Sequence, residues 1–241
     1  MRNAVRAFLV ALIIVLGVLT LGLGYYGFVP GLSAVLGSAK PRDLRVDPNV
    51  DDLASAKAKT GITFSNLIEG LPPEQSIKFT GQKELNVELT DEELTALLRS
   101  DSWRYNFIEK GQVRINADGT EEISGLLRLD RVNGYLLAHH ASPEKFRPYL
   151  HALESFSHHP AFYVKLDSSW QDGKLTMKVM RAEIGRYEIE DKVLAAHQEQ
   201  LRAAIERHVL AVPGITITSL TFGGGRMQYE GTFPETVEWS P

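Results

Sequence analysis

The chain has 241 residues, of which 44% are hydrophobic and 23% charged, a composition typical of a folded globular protein and not of a disordered one. The net charge is −4, with both signs spread along the chain, so no cationic surplus is available to neutralise phosphates and we expect no nucleic-acid partner. Cysteine is absent, which excludes disulfides, thiolate metal ligands and cysteine nucleophiles.

The first predicted element is a transmembrane helix. The uncharged run from Ala7 to Val29 has about 23 residues, roughly 34 Å as a helix, and a bilayer core requires about 20. Arg2 and Arg6 precede the run, whereas Tyr25 and Tyr26 lie near its far end, where aromatic rings favour the headgroup region. The positive-inside rule then places the N-terminus in the cytoplasm and the C-terminal domain outside the cell membrane.

A cleavable signal peptide is the competing interpretation, with Gly37-Ser38-Ala39 as its cleavage site. The apolar run is longer than the usual h-region of about 7–15 residues, so we favour an uncleaved signal anchor. The predicted organisation is a cytoplasmic tip and anchor over residues 1–29, a Gly-, Ser-, Ala- and Pro-rich stalk over 30–50, and an extracytoplasmic domain over 51–241.

The domain begins with a predicted helix and a predicted strand. Residues Asp51 to Thr60 are compatible with a short helix that ends at Gly61. Apolar and polar residues then alternate from Leu85 to Leu89, which indicates a half-buried strand. Thr90 and Glu93 have the spacing of a capping box, and a helix with Leu94, Leu97 and Leu98 on one face should follow.

Three hairpins with intervening helices make up the remainder. The predicted strand pairs are Val113 to Ile115 with Ile123 to Leu129, Phe162 to Leu166 with Leu175 to Val179, and Ile215 to Leu220 with Met227 to Gly231. Gly119, Gly173 and Gly224 form their turns. The predicted helices start at Ser142-Pro143, with an apolar stripe of Phe146, Tyr149, Leu150, Leu153 and Phe156, and at Glu190, which opens a long helix to Leu210.

These patterns predict an α+β fold: a mostly antiparallel sheet of hairpins covered by amphipathic helices. The turn glycines recur about every 50 residues, which is compatible with repeated helix-hairpin units over 84–135, 142–183 and 188–236. The alternative is the ordinary alternation of helices and hairpins in α+β folds, without duplication.

The long helix carries the candidate ligand-binding residues. His197 and His208 are close to three turns apart, so they should share a face with three apolar side chains of the helix. The candidate set is Leu194, His197, Leu201, Ile205 and His208. Two interpretations remain open: the histidines are satisfied core residues, or they line a cavity that holds a hydrophobic ligand together with the aromatic residues of the hairpins.

No catalytic residue, metal site or cofactor is predicted. The imidazoles of His139, His140, His151, His158 and His159 invite a metal hypothesis, but their spacing matches no ligand motif. Two acidic groups precede or open helices, where the helix dipole favours negative charge: Asp91-Glu92-Glu93, and Glu188 with Glu190 and Asp191.

Several segments resemble those of uncharacterised bacterial membrane-anchored envelope proteins. The similar segments are Leu89 to Leu94, Val113 to Gly119, Ala182 to Tyr187, the long helix Glu190 to Leu210, Val212 to Gly214, Thr218 to Leu220 and Met227 to Pro234. The resemblance implies an N-terminal anchor, an extracytoplasmic α+β domain and, by analogy, lipid binding. We therefore expect a non-enzymatic envelope protein that binds a hydrophobic or lipid-like ligand. The alternatives are an interaction component of an envelope complex with a protein partner, and a metal-dependent hydrolase that uses the histidines.

Overall fold

The computed structural model describes residues 16–23, 25–26, 32–33, 37–145, 147, 150–151 and 159–241. Much of the predicted anchor lies outside these residues, including 7–15 and 27–29. Among the residues that are described, no helix is both long and apolar enough to cross a membrane. The end of the predicted stalk lies along the domain, because Leu44 and Val46 are buried against Tyr163.

The domain is α+β, as the sequence predicts. The helices are α1 (Val50–Thr60), α2 (Asp91–Ser100), α3 (Leu129–Ala138) and α4 (Asp191–Leu210). The strands are β1 (Thr63–Asn66), β2 (Ile77–Thr80), β3 (Lys83–Thr90), β4 (Ile108–Ile115), β5 (Glu121–Leu127), β6 (Ala161–Gln171), β7 (Lys174–Ile184), β8 (Tyr187–Glu188), β9 (Thr216–Gly223), β10 (Arg226–Phe233) and β11 (Thr236–Trp239). Single 3-10 turns occupy Pro73–Gln75 and Pro143–Lys145.

Side-chain caps fix where the first two helices begin. The predicted capping box is confirmed: Thr90 Oγ1 accepts from the Glu93 amide, and Glu93 Oε2 accepts from the Thr90 amide at 2.9 Å. α1 carries a second box, formed by Asn49 and Asp52, and it ends at Gly61 with a left-handed φ of 58°, as the sequence predicts. Reciprocal caps of this kind satisfy amides that have no partner within the helix.

All three predicted hairpins are confirmed. β4 pairs with β5, β6 with β7 and β9 with β10, each antiparallel. The turn glycines Gly119, Gly173 and Gly224 have positive φ values of 88°, 76° and 60°, a region that costs a residue with a side chain about 1–2 kcal/mol. Hairpin chemistry is local, which is why the sequence predicts it well.

The larger sheet runs in the order β3-β10-β9-β6-β5-β4, and β7 and β8 extend it from β6. β6 has two partners along one edge: β5 pairs with its first half, whereas β9 pairs with Trp170 and Gln171. A smaller sheet of order β1-β11-β2 contains one parallel pair, β1 with β11. Sequence patterns did not predict this second sheet.

Helix α4 covers the free edge of β7. The Gln198 side chain accepts from the Val179 amide at 3.3 Å, and Glu206 accepts from the Leu175 amide at 3.0 Å. Arg202 donates to the Leu175 carbonyl at 3.3 Å. Side chains of α4 thus form the hydrogen bonds that the backbone groups of β7 would otherwise form with a further strand. The helix therefore protects this edge from association with other chains.

Two differences from the predicted helices concern the middle of the chain. α3 was not predicted; the predicted strand extends to Leu129, which instead begins this helix. The helix predicted from Ser142 begins at the 3-10 turn Pro143–Lys145, and most of its apolar stripe lies outside the described residues. The hypothesis of repeated units stays a prediction.

Candidate functional site

An apolar cavity of about 360 Å³ lies between the two sheets and helix α2. Its lining residues are Thr60, Ile62, Phe64, Ile77, Phe79, Leu85, Val87, Leu89, Leu94, Leu97, Ser100, Asp101, Trp103, Met227, Tyr229, Phe233, Val237 and Trp239. Fifteen of these eighteen side chains are aliphatic or aromatic, so the cavity offers a surface that favours an apolar ligand.

Strand alternation explains why one wall of the cavity is apolar. Leu85, Val87 and Leu89 occupy alternate positions of β3, so they lie on the same face of the sheet. Antiparallel pairing with β10 places Tyr229 opposite Val87 and Met227 opposite Leu89, which continues the apolar face across both strands.

The opposite wall comes from the small sheet and from α2. Phe64 pairs with Val237 and Val237 with Phe79, so the three side chains form one row across β1, β11 and β2. Leu94 and Leu97 are three residues apart on α2 and therefore share a face. Both line the cavity.

The polar atoms of the aromatic residues bond to protein groups. Trp103 Nε1 donates to Ser76 Oγ at 3.0 Å, and Trp239 Nε1 donates to Ser102 Oγ at 3.1 Å. Tyr229 donates its hydroxyl to the Thr232 carbonyl at 2.7 Å. With their polar atoms satisfied, these residues add apolar ring surface to the cavity and do not require a polar ligand.

A polar cleft of about 810 Å³ adjoins the apolar cavity. Asp101 and Trp103 line both spaces, so they mark the junction. Burial raises the pKa of the Asp101 carboxyl, although the Trp103 amide and the Asn106 side chain donate to it and Arg131 is nearby. The cleft also carries arginine and carboxylate side chains, so an amphiphile could place its chain in the cavity and its head in the cleft.

The five predicted ligand-binding residues do not surround one cavity. Leu194 and Ile205 pack against the core of the large sheet, whereas His197 is exposed and Leu201 is 46% exposed. The predicted apolar face of α4 is therefore wrong in its middle part. The physical reason is the free edge of β7, whose backbone groups form hydrogen bonds with Gln198, Arg202 and Glu206. These three polar side chains therefore lie on the side of α4 that faces the strand.

His208 packs in an aromatic cluster that includes none of the other four candidate ligand-binding residues. Its Nε2 lies 2.7 Å from the Tyr135 hydroxyl, and its ring centroid lies 4.6 Å from that of His139. Burial lowers the pKa of both imidazoles, that of His139 to about 4, with the neighbouring His208 as a second cause. Burial also raises the pKa of Tyr135 to about 12. Contacts among Tyr135, His139 and His208 therefore join α3 and the residue after it to α4, and burial disfavours the charged form of both imidazoles.

The remaining histidines do not form a metal site within the described part of the chain. No three His, Cys, Asp or Glu side chains there are placed to hold a metal ion. His140, His151 and His159 are exposed, and His158 lies outside the described residues. Comparisons with protein-family models, with curated proteins and with solved structures find no match to this chain.

The apolar cavity itself was not predicted from the sequence. Its residues come from several separate elements, and each apolar run is indistinguishable from ordinary core when taken alone. The one usable signal was the aromatic content of the chain, which includes Trp103, Tyr229, Phe233 and Trp239. The sequence left two interpretations of such aromatic residues open, core packing or contact with a hydrophobic ligand, and the candidate ligand-binding residues were those of α4.

Proposed function

We propose that this protein is a membrane-anchored extracytoplasmic domain that binds, without catalysis, one acyl chain or an apolar molecule of similar size. The observation that carries the proposal is the apolar cavity between the two sheets. An apolar space of this size, lined mostly by aliphatic and aromatic side chains, is typical of sites that bind small apolar ligands. A bound apolar ligand would remove this surface from water.

The size of the cavity limits the ligand. At about 360 Å³ it lies near the lower end of the usual range for ligand sites, roughly 300–1,000 Å³. The volume therefore favours a single acyl chain, or an apolar molecule of similar size, over a larger ligand. The adjoining polar cleft gives a head group access to water and to charged side chains near Asp101.

The proposed anchor places the domain close to a source of such ligands. The run from Ala7 to Val29 has the length and hydropathy of a membrane-spanning helix and ends near Tyr25 and Tyr26. Residues 25–26 contact the domain at Arg186 and Tyr187, so a helix that spans the membrane would hold the domain at its surface. The resemblance to bacterial envelope proteins supports the same location.

Quenching of tryptophan fluorescence tests the proposal. Two of the three tryptophans, Trp103 and Trp239, line the cavity, whereas Trp170 does not. A brominated fatty acid added to the full chain in amphipol should quench fluorescence with saturation at one equivalent. The variant Trp170→Phe should retain this quenching.

A cavity-filling variant provides the decisive comparison. Leu97→Trp places an indole in the cavity from α2 and should weaken fatty-acid binding by at least about tenfold, because the added ring occupies the space of the chain. Ile68→Trp is the matched control, since Ile68 is 79% exposed and does not line the cavity. Equal binding by both variants would contradict the proposal, provided that both unfold cooperatively like the native chain.

A further inference from the structure

A second cavity, of about 410 Å³, lies where residue 25 meets strands β6 and β7. Its described lining includes four cationic side chains and one carboxylate. The cations are Lys40, Arg42, Arg181 and Arg186, and the carboxylate is Glu183. Such a surplus of positive charge in a concave site favours an anionic ligand.

The single carboxylate is already engaged by two of the arginines. Glu183 Oε1 lies 2.7 Å from Arg42 Nη2 and 2.8 Å from Arg181 Nε, and the Glu183 side chain is only 9% exposed. Arg42 also lies over the Tyr163 ring, 3.8 Å from its centroid. These contacts hold two guanidinium groups in fixed positions at the wall of the cavity, which lowers the entropy lost when an anion binds.

The other two cations provide the uncompensated charge. Within the described part of the chain, neither Lys40 nor Arg186 forms an ion pair with a carboxylate. Arg186 lies over the Tyr25 ring, 4.6 Å from its centroid, and its Nη2 would be 3.1 Å from a Cβ at Gly37. Tyr25, which lies within the predicted apolar run, and Gly37, which follows it, therefore form one side of the cavity.

The position of Tyr25 defines the environment of the cavity. Tyr25 and Tyr26 lie near the end of the apolar run, and Tyr26 packs against Tyr187 with ring centroids 6.4 Å apart. Interfacial tyrosines lie at the level of lipid headgroups, and cations close to an anionic membrane surface are attracted to it. A cationic cavity beside Tyr25 would thus face the phosphates of the membrane.

We propose that this cationic cavity binds the phosphate group of an anionic lipid headgroup and so fixes the domain against the membrane. Guanidinium groups bind phosphate oxygens in pairs of parallel hydrogen bonds, and Arg186, for which the described residues provide no carboxylate partner, can bind a phosphate in this way. The proposal rests on the anchoring part of the proposed function, and it is independent of the apolar cavity.

The test uses the full chain in amphipol and lipids that remain monomeric in water. Short-chain phosphatidylglycerol is titrated while hydrogen exchange is followed in the peptide over residues 181–188. We expect saturable protection of this peptide, which short-chain phosphatidylcholine should not produce because its head carries no net charge. Raised salt should weaken the binding.

The paired variant Lys40→Gln/Arg186→Gln should bind phosphatidylglycerol at least roughly tenfold more weakly, since it removes both cations that lack a carboxylate partner. The matched control is Lys78→Gln/Arg226→Gln, which removes the same charge from exposed positions outside the cavity. The control should bind like the native chain.

Three results would overturn the proposal: no protection by phosphatidylglycerol, equal protection by phosphatidylcholine, or equal losses in the two variants. Inorganic phosphate is titrated in the same way as a further test. If it protects the peptide as well as phosphatidylglycerol does, the ligand is free phosphate and the lipid assignment is wrong. Fatty-acid binding in the apolar cavity is measured in a separate assay. A failure of anion binding in the cationic cavity is therefore distinguishable from a failure of ligand binding in the apolar cavity.

Discussion

At the level of single residues, His139 makes the stability of the fold sensitive to acid. Its imidazole packs against Phe79, Trp103, Tyr135 and His208, and burial lowers its pKa to about 4 from an unfolded value near 6.5. The unfolded chain therefore binds the proton more tightly, so stability is complete above about pH 6.5 and is lost as the pH falls toward 4. Because the ring is only partly buried, we expect a loss of about 1–2 kcal/mol.

Urea unfolding at pH 7 and pH 4.5 measures this dependence. The variant His139→Phe keeps a ring in the cluster and should show a smaller loss on acidification than the native chain. The control His197→Gln changes an exposed histidine and leaves the cluster intact. An identical acid response in all three proteins would show that His139 is not the responsible group.

Glu93 joins the first two helices through a buried carboxylate. Ser55 donates to Oε1 at 2.5 Å, whereas Lys59 and the Thr90 amide donate to Oε2 at 2.7 and 2.9 Å. Burial raises the pKa of this carboxyl, but the hydrogen bonds from Lys59, Ser55 and Thr90 together lower it below its ordinary value. Glu93→Gln should reduce the free energy of unfolding by about 1–3 kcal/mol at pH 7.

The matched change is Glu238→Gln, which removes the partner of Lys78 at 3.6 Å and should cost less than about 1 kcal/mol. The difference between the two variants should also shrink in acid, because stabilisation by a carboxyl with a lowered pKa is lost as the pH falls through that pKa. A Glu93→Gln variant as stable as the native chain would refute this account of the helix pair.

At the level of elements, Gly231 determines how β9 and β10 pair. It follows a register shift in the ladder and has a φ of 154°. A Cβ at this position would lie 2.0 Å from the Thr216 carbonyl oxygen, a contact that only movement of the backbone could relieve. We expect Gly231→Ala to destabilise the domain by about 3–5 kcal/mol, measured as a lower unfolding midpoint.

Gly173→Ala is the control for that change. Gly173 also has a positive φ, 76°, but a Cβ at this position would have no neighbouring atom within 4 Å, so only the backbone conformation is strained. The cost should be about 1–2 kcal/mol. Equal losses for the two alanine variants would mean that the close approach of Thr216 does not matter.

Elements encoded by local chemistry were predictable, and those that depend on tertiary contacts were not. The capping box at Thr90 and the three hairpin turns require only neighbouring residues, and all were predicted correctly. Helix α3 was missed because Gly134 interrupts its pattern. The structure explains that glycine, because a Cβ there would lie 2.1 Å from Tyr105 Cδ1. Gly134 is a poor helix former, but it is the residue that leaves room for the Tyr105 ring.

The face of α4 was mispredicted for a related reason. Helical periodicity marks which residues could share a face, but it does not show which partner the face meets. Here the partner is the free edge of β7, which offers backbone groups, so Gln198 and Glu206 turn inward and Leu201 turns outward. The prediction assumed an apolar partner surface.

At the level of the whole molecule, the apolar cavity exists because two sheets and one helix meet without filling the space between them. The parallel pairing of β1 with β11 brings together residues far apart in the chain, such as Thr63 and Thr236. Single-sequence patterns carry no information about such a pairing, so neither the small sheet nor the cavity could be predicted. The same topology brings Trp103, Tyr229 and Trp239 to one space.

Native mass spectrometry of the full chain, isolated from its own host's membranes, tests the proposed ligand binding most directly. We expect the native chain to carry one molecule with an acyl chain, identified by extraction in parallel, and the Leu97→Trp variant to be bare. A bare native chain, or equal retention of the molecule by Leu97→Trp, would contradict the proposal and favour an interaction module of an envelope complex.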